Sequence, residues 1–453
     1  MKQKLVAVLG FGVEGKATAA YLLKHGVKPT LFDQKPWGQW PQEDREYIKP
    51  LGLNFIFGED AFKELAGFDV VFRSPGIKLS AIKSSLPGTA IITSQTKWFF
   101  EHCPAKIIGI TGTKGKGTTA SLIYEILRTN SRRLKTKFYL TGNIGKVQPL
   151  EILDDLSADD WVVYELSSFQ LQDLTQSPHI GVVLMVTGEH LDYHKTIKEY
   201  HEAKTAVVKF QQKGDIAIIN RDFPASKSIG SFGKGKKLFF SRIKPVTDGC
   251  FVKNETIFTT NSDFRFPASQ LRLRGRHNLE NVCAAILAAL AAGCSAQSIK
   301  TVLKKFKGLE HRLEFVAEKQ GIKFFNDSFS TTPETCIAAV ESFNEPLVVI
   351  LGGSSKNSGF KELGKALARA KNIKALILIG KEAGRIKDAV NSAKGFKGKI
   401  FEGAKNMAEI FSQIKTVASA GDVVLLSPAC ASFDMFQSYI DRGNQFKEAV
   451  KSF

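Results

Sequence analysis

Apolar runs of strand length recur along the whole chain, each followed by a stretch whose apolar positions return with helical spacing. Leu5–Leu9, Thr30–Asp33 and Val70–Arg73 form a first group of predicted strands, with a predicted helix over Lys16–His25. Ile107–Thr111, Trp161–Leu166, Gly181–Thr187 and Ile216–Asn220 form a second group, with helices over Ala120–Arg128 and Ile197–Phe210. Ile322–Asn326, Leu347–Leu351, Ala375–Ile379 and Val423–Ser427 form a third. Strands alternating with helices predict an α/β protein with mainly parallel sheets.

Breaks in the pattern divide the groups. Glu101-His102-Cys103-Pro104 precedes one fresh strand and Lys307-Gly308-Leu309-Glu310-His311-Arg312 another, so three domains are expected, over 1–103, 104–311 and 312–453. The outer two are expected to be Rossmann-like, and the central one a P-loop ATPase-like parallel sheet. The stretch from Phe223 to Arg274 is rich in Gly, Lys, Ser and Thr and lacks a long helical pattern, so a small antiparallel excursion is expected within the middle domain. No repeat and no low-complexity segment is evident.

Composition changes this picture little. A chain of 453 residues, 43% hydrophobic and 24% charged, has ample material for several cores. No window offers the ~18 consecutive apolar residues of a membrane span. The apolar run near the start is too short for a signal peptide and ends in Gly10-Phe11-Gly12, so a cytoplasmic location is expected. Six cysteines without a CxxC pair argue against a disulfide framework or a zinc site. The formal charge of +19 fits a nucleic-acid binder, a basic enzyme with anionic substrates, or a lysine-rich proteome. Lysine is spread along the chain rather than gathered in a block, so charge alone decides nothing.

Two glycine loops carry the chemistry. Gly10-Phe11-Gly12-Val13-Glu14-Gly15 stands between a strand and a helix, where glycines permit a tight turn and bring backbone N–H groups to a phosphate. Asp33 ends the next strand, where a ribose-binding acid sits in dinucleotide folds. From this segment alone a nicotinamide oxidoreductase is a live reading, and a purely structural turn is another. Arg73-Ser74-Pro75-Gly76-Ile77 adds a second N–H-rich turn. The other loop, Gly112-Thr113-Lys114-Gly115-Lys116-Gly117-Thr118-Thr119, follows an apolar strand and opens a helix. Its backbone suits a phosphate chain, Lys116 its charge, and the Thr118 hydroxyl a Mg²⁺ ion, so ATP is expected here. Downstream, Glu165 and His190 close two strands that end on the same sheet edge. A lone strand-end Glu is usually solvated and a lone His structural, but beside a P-loop the pair suits an ATP-bound Mg²⁺.

The ordered set Thr111–Lys116, Thr141-Gly142-Asn143-Ile144-Gly145, Glu165-Leu166-Ser167-Ser168-Phe169-Gln170, His190-Leu191-Asp192, Ala203-Lys204, Gly275–Asn281 and His311-Arg312 resembles the Mur ligase family over essentially the whole chain. The resemblance implies ATP-dependent amide-bond formation, and its terminal stretches are most similar to the members that add D-glutamate to UDP-N-acetylmuramoyl-L-alanine. It implies that Gly12, Val13, Glu14, Asp33, Ser74, Pro75 and Gly76 meet the UDP part, a diphosphate rather than a nicotinamide cofactor. It implies that Gly112–Thr119 hold the triphosphate, that Asn143 contacts substrate or phosphate, and that Asn278 and Asn281 present amides to adenine. Arg312 and Asp327 would lie where the third domain closes on the nucleotide. Lys356, Thr331, Ser432 and Phe433 would receive D-glutamate. Two Mg²⁺ ions are implied, on Thr118, Glu165, His190 and a carbamylated Lys204, and carbamylation requires a neutral amine first. Catalysis would then fall to Lys116, Lys204, His190 and Asn143. A monomer that binds neither nucleic acid nor membrane is the expected form.

The chain departs from the family pattern at four places. Lys114 stands where Asn is usual, Gly117 where Ser or Thr is usual, Phe329 where lysine is common in the D-glutamate-adding members, and Gly188-Glu189 before His190 where Glu-Asp is more usual. The implied reaction runs through an acyl phosphate, because a carboxylate does not condense with an amine until its oxygen is made a good leaving group. Another Mur-type or folylpolyglutamate-type ligase would keep the ATP site and change the acceptor.

Overall fold

The computed structural model describes residues 4–130, 136–145, 147–188, 193–354 and 358–453. The chain divides into two compact units, one of residues 1–269 and 280–302, the other of residues 270–279 and 303–453.

The first unit holds two sheets. The N-terminal sheet contains β1 (Val6–Leu9), β2 (Thr30–Asp33), β3 (Phe55–Phe57), β4 (Val70–Arg73) and β5 (Ile91–Thr93) in the order β3-β2-β1-β4-β5, every pair parallel. β1 and β4 are buried along their whole length, as parallel strands covered on both faces must be. The helix Val13–Lys24 begins three residues before the predicted start, with Gly12 as its N-cap. This puts Glu14 in the first turn, where the helix dipole favours a carboxylate.

The second sheet contains β6 (Lys106–Thr111), β7 (Phe138–Gly142), β8 (Trp161–Glu165), β9 (Ile180–Val183), β10 (Ile216–Asn220), β11 (Lys236–Ser241), β12 (Gly249–Lys253), β13 (Thr256–Thr259) and β14 (Arg265–Pro267). Its order is β14-β13-β12-β11-β10-β9-β6-β8-β7. The predicted antiparallel excursion needs correcting. The helix Pro224–Gly230 and β11 extend the parallel sheet, β12 pairs parallel with β11, and only the β12-β13-β14 meander is antiparallel. The predicted strand over Gly181–Thr187 stops at Val183. The next residues stay apolar, but their hydrogen bonds go elsewhere: Leu184 N–H to Thr111 O at 2.9 Å, Thr113 N–H to Met185 O at 2.7 Å, and Val186 N–H to Ser226 Oγ at 3.1 Å.

The second unit is one sheet of β15 (Glu314–Lys319), β16 (Ile322–Asn326), β17 (Leu347–Gly352), β18 (Ile373–Ile379), β19 (Lys399–Phe401) and β20 (Val423–Leu426), in the order β15-β16-β20-β17-β18-β19. Only β15 is antiparallel to its neighbour. Two apolar clusters sandwich this sheet, one around Leu351, Leu376 and Leu425, the other around Phe324, Ile377 and Phe446. The fold is α/β with mainly parallel sheets, as predicted. No helix among the described residues is long and apolar enough to cross a membrane.

Candidate active site

In a parallel sheet all strand C-termini meet one edge, and chemistry gathers there. At the N-terminal sheet, β1 lies beside β4 with Leu9 opposite Arg73, so the two glycine turns adjoin. The Ser74 hydroxyl donates to Gly10 O at 3.2 Å, and a Cβ at Gly10 would lie 2.8 Å from Ser74 Oγ. A Cβ at Gly15 would lie 1.9 Å from Gly10 O, so only glycine lets the helix start this close to the loop. Gly12 and Gly76 have open space where a Cβ would stand, and Val13 is exposed. Asp33 works on the backbone here: Oδ2 accepts Phe11 N–H and Oδ1 accepts Lys35 N–H, each at 2.8 Å. Glu14 turns its carboxylate inward, where Oε1 accepts from Gln170 Nε2 at 2.9 Å. Burial raises its pKa above the ordinary value, with the Gln170 hydrogen bond and the Arg73 charge opposing.

At the second sheet, three adjacent strands deliver the phosphate-loop residues. The loop follows β6, Glu165 ends β8, and Asn143 follows β7, with Ile110 and Gly142 each in register with Glu165. Gly142 adopts φ +96°, and a Cβ there would lie 2.2 Å from Glu165 O, so the β7 end closes onto Glu165. Asn143 is exposed beside it. The helix begins at Lys116, four residues before the prediction, so Lys116 to Thr119 lie in its first turn, which closes with Thr119 N–H donating to Gly115 O at 3.0 Å. Gly115 adopts φ +86°, and a Cβ there would lie 2.2 Å from Asn281 Oδ1.

The side chains of this loop divide in two. Thr113 is buried and structural, with its Oγ1 3.0 Å from the Tyr200 hydroxyl and accepting Thr187 N–H at 3.0 Å. Lys114 is exposed. Lys116 Nζ curls back onto Gly112 O at 3.0 Å and Thr113 O at 3.2 Å. Lys204 is 1% exposed, and its Nζ reaches the loop from the helix Ile197–Lys209, donating to Gly112 O at 3.1 Å and Thr111 Oγ1 at 3.3 Å. The Tyr200 ring lies 4.6 Å from the same ammonium.

Whether these groups suit a triphosphate with a hard divalent cation can be tested on the polar atoms left over. Glu165 is 7% exposed, and its carboxylate accepts no hydrogen bond among the described residues. Among the described residues Thr119 Oγ1 is buried without a partner, and Thr118 is buried one residue earlier. Such oxygen donors cost free energy unless something satisfies them, and an oxygen-seeking cation does so. No group of three His, Cys, Asp or Glu side chains converges among the described residues. A nucleotide-bound Mg²⁺ needs no such group, because phosphate oxygens and water fill most of its shell. The donor set fits. His190 lies outside the described residues, but its neighbours are anchored: Tyr193 OH donates to Pro75 O at 3.0 Å, and His194 Nε2 lies 3.0 Å from Ser168 Oγ.

In the second unit β16, β20 and β17 are adjacent, so the loops after them share one edge. Asp327 lies at the centre, with Oδ2 accepting from Ser427 Oγ at 2.8 Å and Oδ1 accepting Leu313 N–H at 3.1 Å. Burial pushes its pKa up to about 7 against the lowering effect of the Ser427, Leu313 and Ser330 hydrogen bonds and the Arg312 charge. Arg312 stacks over Phe329 with 3.8 Å from guanidinium carbon to ring centroid, so the residue standing in the usual lysine position is a platform for this arginine. Thr331 is half-buried, Ser432 buried and Phe433 exposed. Lys356 lies outside the described residues. Asn278 donates to Arg274 O at 2.5 Å.

Two arginines escaped prediction as site residues because each ends up buried and reveals itself only through its contacts. Arg442 has no exposed surface, and it ties the loops after β16 and β20 together by donating to Ser328 Oγ at 3.0 Å, Ser328 O at 2.9 Å, Cys430 O at 3.2 Å and Ala431 O at 3.3 Å. Burial lowers its pKa to about 10. Arg73 does similar work at the N-terminal turn, through the carbonyls of Ser74, Pro75 and Ile77.

Known proteins bear directly on this arrangement. Residues 110–289 match the Mur ligase middle domain, and residues 311–430 match the Mur ligase glutamate ligase domain. The chain is 37% identical to the UDP-N-acetylmuramoylalanine--D-glutamate ligase of Clostridium tetani, over 99% of this chain and 97% of that protein. It is 35% identical to the enzyme of the same name from Clostridium botulinum strain 657, over 100% and 97%. Among solved structures, the UDP-N-acetylmuramate-alanine ligase MurC of Thermotoga maritima aligns with a TM-score of 0.62 at 16% identity, covering 99% of this chain and 100% of that one. The MurF ligase of Thermotoga maritima, solved in complex with ADP, aligns at 0.58 with 18% identity, covering 99% and 95%. These structures share the fold. The full-length sequence similarity goes further, and by it the chain belongs to the Mur ligase family.

Proposed function

We propose that this ligase joins D-glutamate to UDP-N-acetylmuramoyl-L-alanine in peptidoglycan precursor synthesis, with ATP as the energy source and in the cytoplasm where ATP is supplied. The curated relatives carry that activity in their names at 35–37% identity over nearly the whole chain. The single structural observation that carries the chemistry is the buried Lys204 ammonium on Gly112 O and Thr111 Oγ1, at the base of the phosphate loop.

The reaction asks the protein to align three reactants and to neutralise charge. The carboxylate of the alanyl group attacks the γ-phosphorus of ATP and ADP leaves. The amine of D-glutamate then attacks the acyl phosphate carbon, phosphate departs with the C–O bonding pair, and the nitrogen releases a proton to solvent to leave the neutral amide. The first-turn amides of the helix at Lys116 line up behind the phosphates, and the Lys116 ammonium exchanges its two loop carbonyls for phosphoryl oxygen. Mg²⁺, when bound, supplies further charge neutralisation on the phosphoryl oxygens. Thr118, Glu165 and His190 would hold it, and Lys204 would hold a second ion once CO₂ has converted its amine to a carbamate. The Ser74–Ile77 and Gly10–Gly15 turns receive the UDP diphosphate. Thr331, Lys356, Ser432 and Phe433 receive D-glutamate, and Arg442 ties the Ser328 backbone to that of Cys430 and Ala431.

The proposal is tested by mass spectrometry of the UDP-linked product after incubation with ATP, Mg²⁺ and D-glutamate. The reading requires a mass gain of one glutamyl residue. An unchanged precursor under conditions where ATP binds contradicts it.

A further inference from the structure

We propose that Arg73 is a positioning residue for the UDP-linked substrate, turning the carbonyls of the Ser74–Ile77 turn inward so that the open side of the turn at Gly76 is left to the diphosphate. The inference rests on the reading of that turn as part of the UDP site.

Arg73 is the last residue of β4, and its side chain has no exposed surface although a loop begins there. Nη1 donates to Ser74 O at 3.4 Å and Pro75 O at 3.3 Å, and makes a short contact with Ile77 O. Three carbonyls of one short turn thus converge on one guanidinium. Each carbonyl that turns inward takes the negative end of its peptide dipole away from the outer side, where an anion would otherwise meet it. The outer side is open at Gly76, which is exposed and has nothing within 4 Å of a Cβ position. The geometry needs the planar fork of arginine, because a lysine ammonium has no second arm for the partner on the other side.

That partner is Asp173, which ion-pairs with Nη2. It neutralises a charge that would be expensive to bury alone, so the turn attracts anions through its dipoles while the guanidinium stays paired. Asp173 follows the helix Ser168–Leu171, in the segment that continues from Glu165. The same segment reaches the N-terminal sheet twice more. Gln170 donates to Glu14, and Gln172 donates to Tyr193 OH at 2.8 Å while that hydroxyl donates to Pro75 O. Arg73 therefore fixes the turn against the segment that carries the candidate metal ligand Glu165, and the diphosphate end of the substrate is set relative to the phosphate-transfer end by one polar frame.

The test measures binding of UDP-N-acetylmuramoyl-L-alanine and, separately, of a non-hydrolysable ATP analogue to the full chain by calorimetry, alongside steady-state KM values. Wild type is compared with Arg73→Lys, Arg73→Met and Asp173→Asn. Arg73→Lys and Arg73→Met are expected to weaken the UDP precursor by about tenfold or more, the scale of a lost charge-assisted arrangement. Its KM rises by the same factor, while ATP-analogue affinity and the KM for D-glutamate hold. Asp173→Asn keeps the carbonyl contacts and loosens the guanidinium, so it gives a smaller loss confined to the same ligand, and it carries the test if Arg73→Met does not fold. Unchanged precursor binding in Arg73→Lys overturns the proposal, and so does a parallel loss of both ligands. A wild-type chain that binds the ATP analogue but not the UDP precursor overturns the functional reading itself, and the role of Arg73 with it.

Discussion

The Nζ of Lys204 lies 3.1 Å from the carbonyl oxygen of Gly112, although the two are 92 residues apart in the chain. A helix has delivered a fully buried cation to the floor of a phosphate loop. Carbamylation would reverse its charge and let it ligate a cation it now repels. Lys204→Ala is expected to be inactive under standard assay conditions, with partial recovery on adding small carboxylic acids that fill the vacated space. Turnover measured across a formate and acetate series checks this, and an inactive variant that no acid rescues, with unaltered Mg²⁺ dependence, counts against the carbamate.

Lys116 stands in the first turn of its helix with its ammonium parked on two loop carbonyls. Lys116→Ala leaves Gly112 O its Lys204 donor and should barely disturb the fold, while removing a charge from the transferring phosphoryl group. A loss in kcat on the order of 100-fold or more is expected, the usual cost of deleting one preorganised electrostatic contact. Near wild-type turnover in a folded variant, checked by circular dichroism, would remove Lys116 from the mechanism.

Gly115 combines φ +86° with the approach of Asn281 Oδ1. Gly115→Ala must therefore both strain the backbone and displace the asparagine. Affinity for ATP is expected to fall, with a stability loss of about 1–3 kcal/mol. Calorimetric binding and thermal melting report the two effects separately, and a variant with unchanged ATP affinity would show that the loop tolerates a different path.

Asp327 has its pKa pushed up to about 7 by burial, so the folded state holds its proton more tightly than the unfolded chain does. Its contribution to stability is complete below the unfolded value near 4 and is lost as pH rises towards 7, at a slope of at most about 1.4 kcal/mol per pH unit. Chemical denaturation between pH 4 and pH 8 should show this decline superimposed on other titrations, and Asp327→Asn should flatten it. Identical pH profiles for the two proteins would show that Asp327 does not titrate in this range.

The parallel architecture and the two glycine loops were legible because alternating apolar runs and strand–glycine–helix junctions are local signals. Local signals also misled. Leu184-Met185-Val186 continues the apolar pattern of β9, yet its backbone is spent on the phosphate loop and Ser226, which no periodicity shows. The three-residue strands β3 and β5 are too short for a repeating pattern to register. Lys204 looks like any lysine on an amphipathic helix until the fold buries it, and only the family resemblance singled it out. Arg73 stood inside a turn already singled out, but its role, like that of Arg442, depends on burial against backbone carbonyls, which sequence does not show. Phe329 was noted as a missing lysine, and the structure supplies what the sequence lacked, a ring on which Arg312 lies.

The central claim is that the chain couples ATP cleavage to amide formation with D-glutamate. The most direct measurement is phosphate release from ATP in the presence of UDP-N-acetylmuramoyl-L-alanine, with D-glutamate, a panel of L-amino acids including L-glutamate, and tetrahydrofolate offered as separate acceptors. Release that depends on both the UDP precursor and D-glutamate, with the other acceptors near background, is the predicted result. Release driven equally by another acceptor, or independent of the UDP precursor, would contradict the assignment.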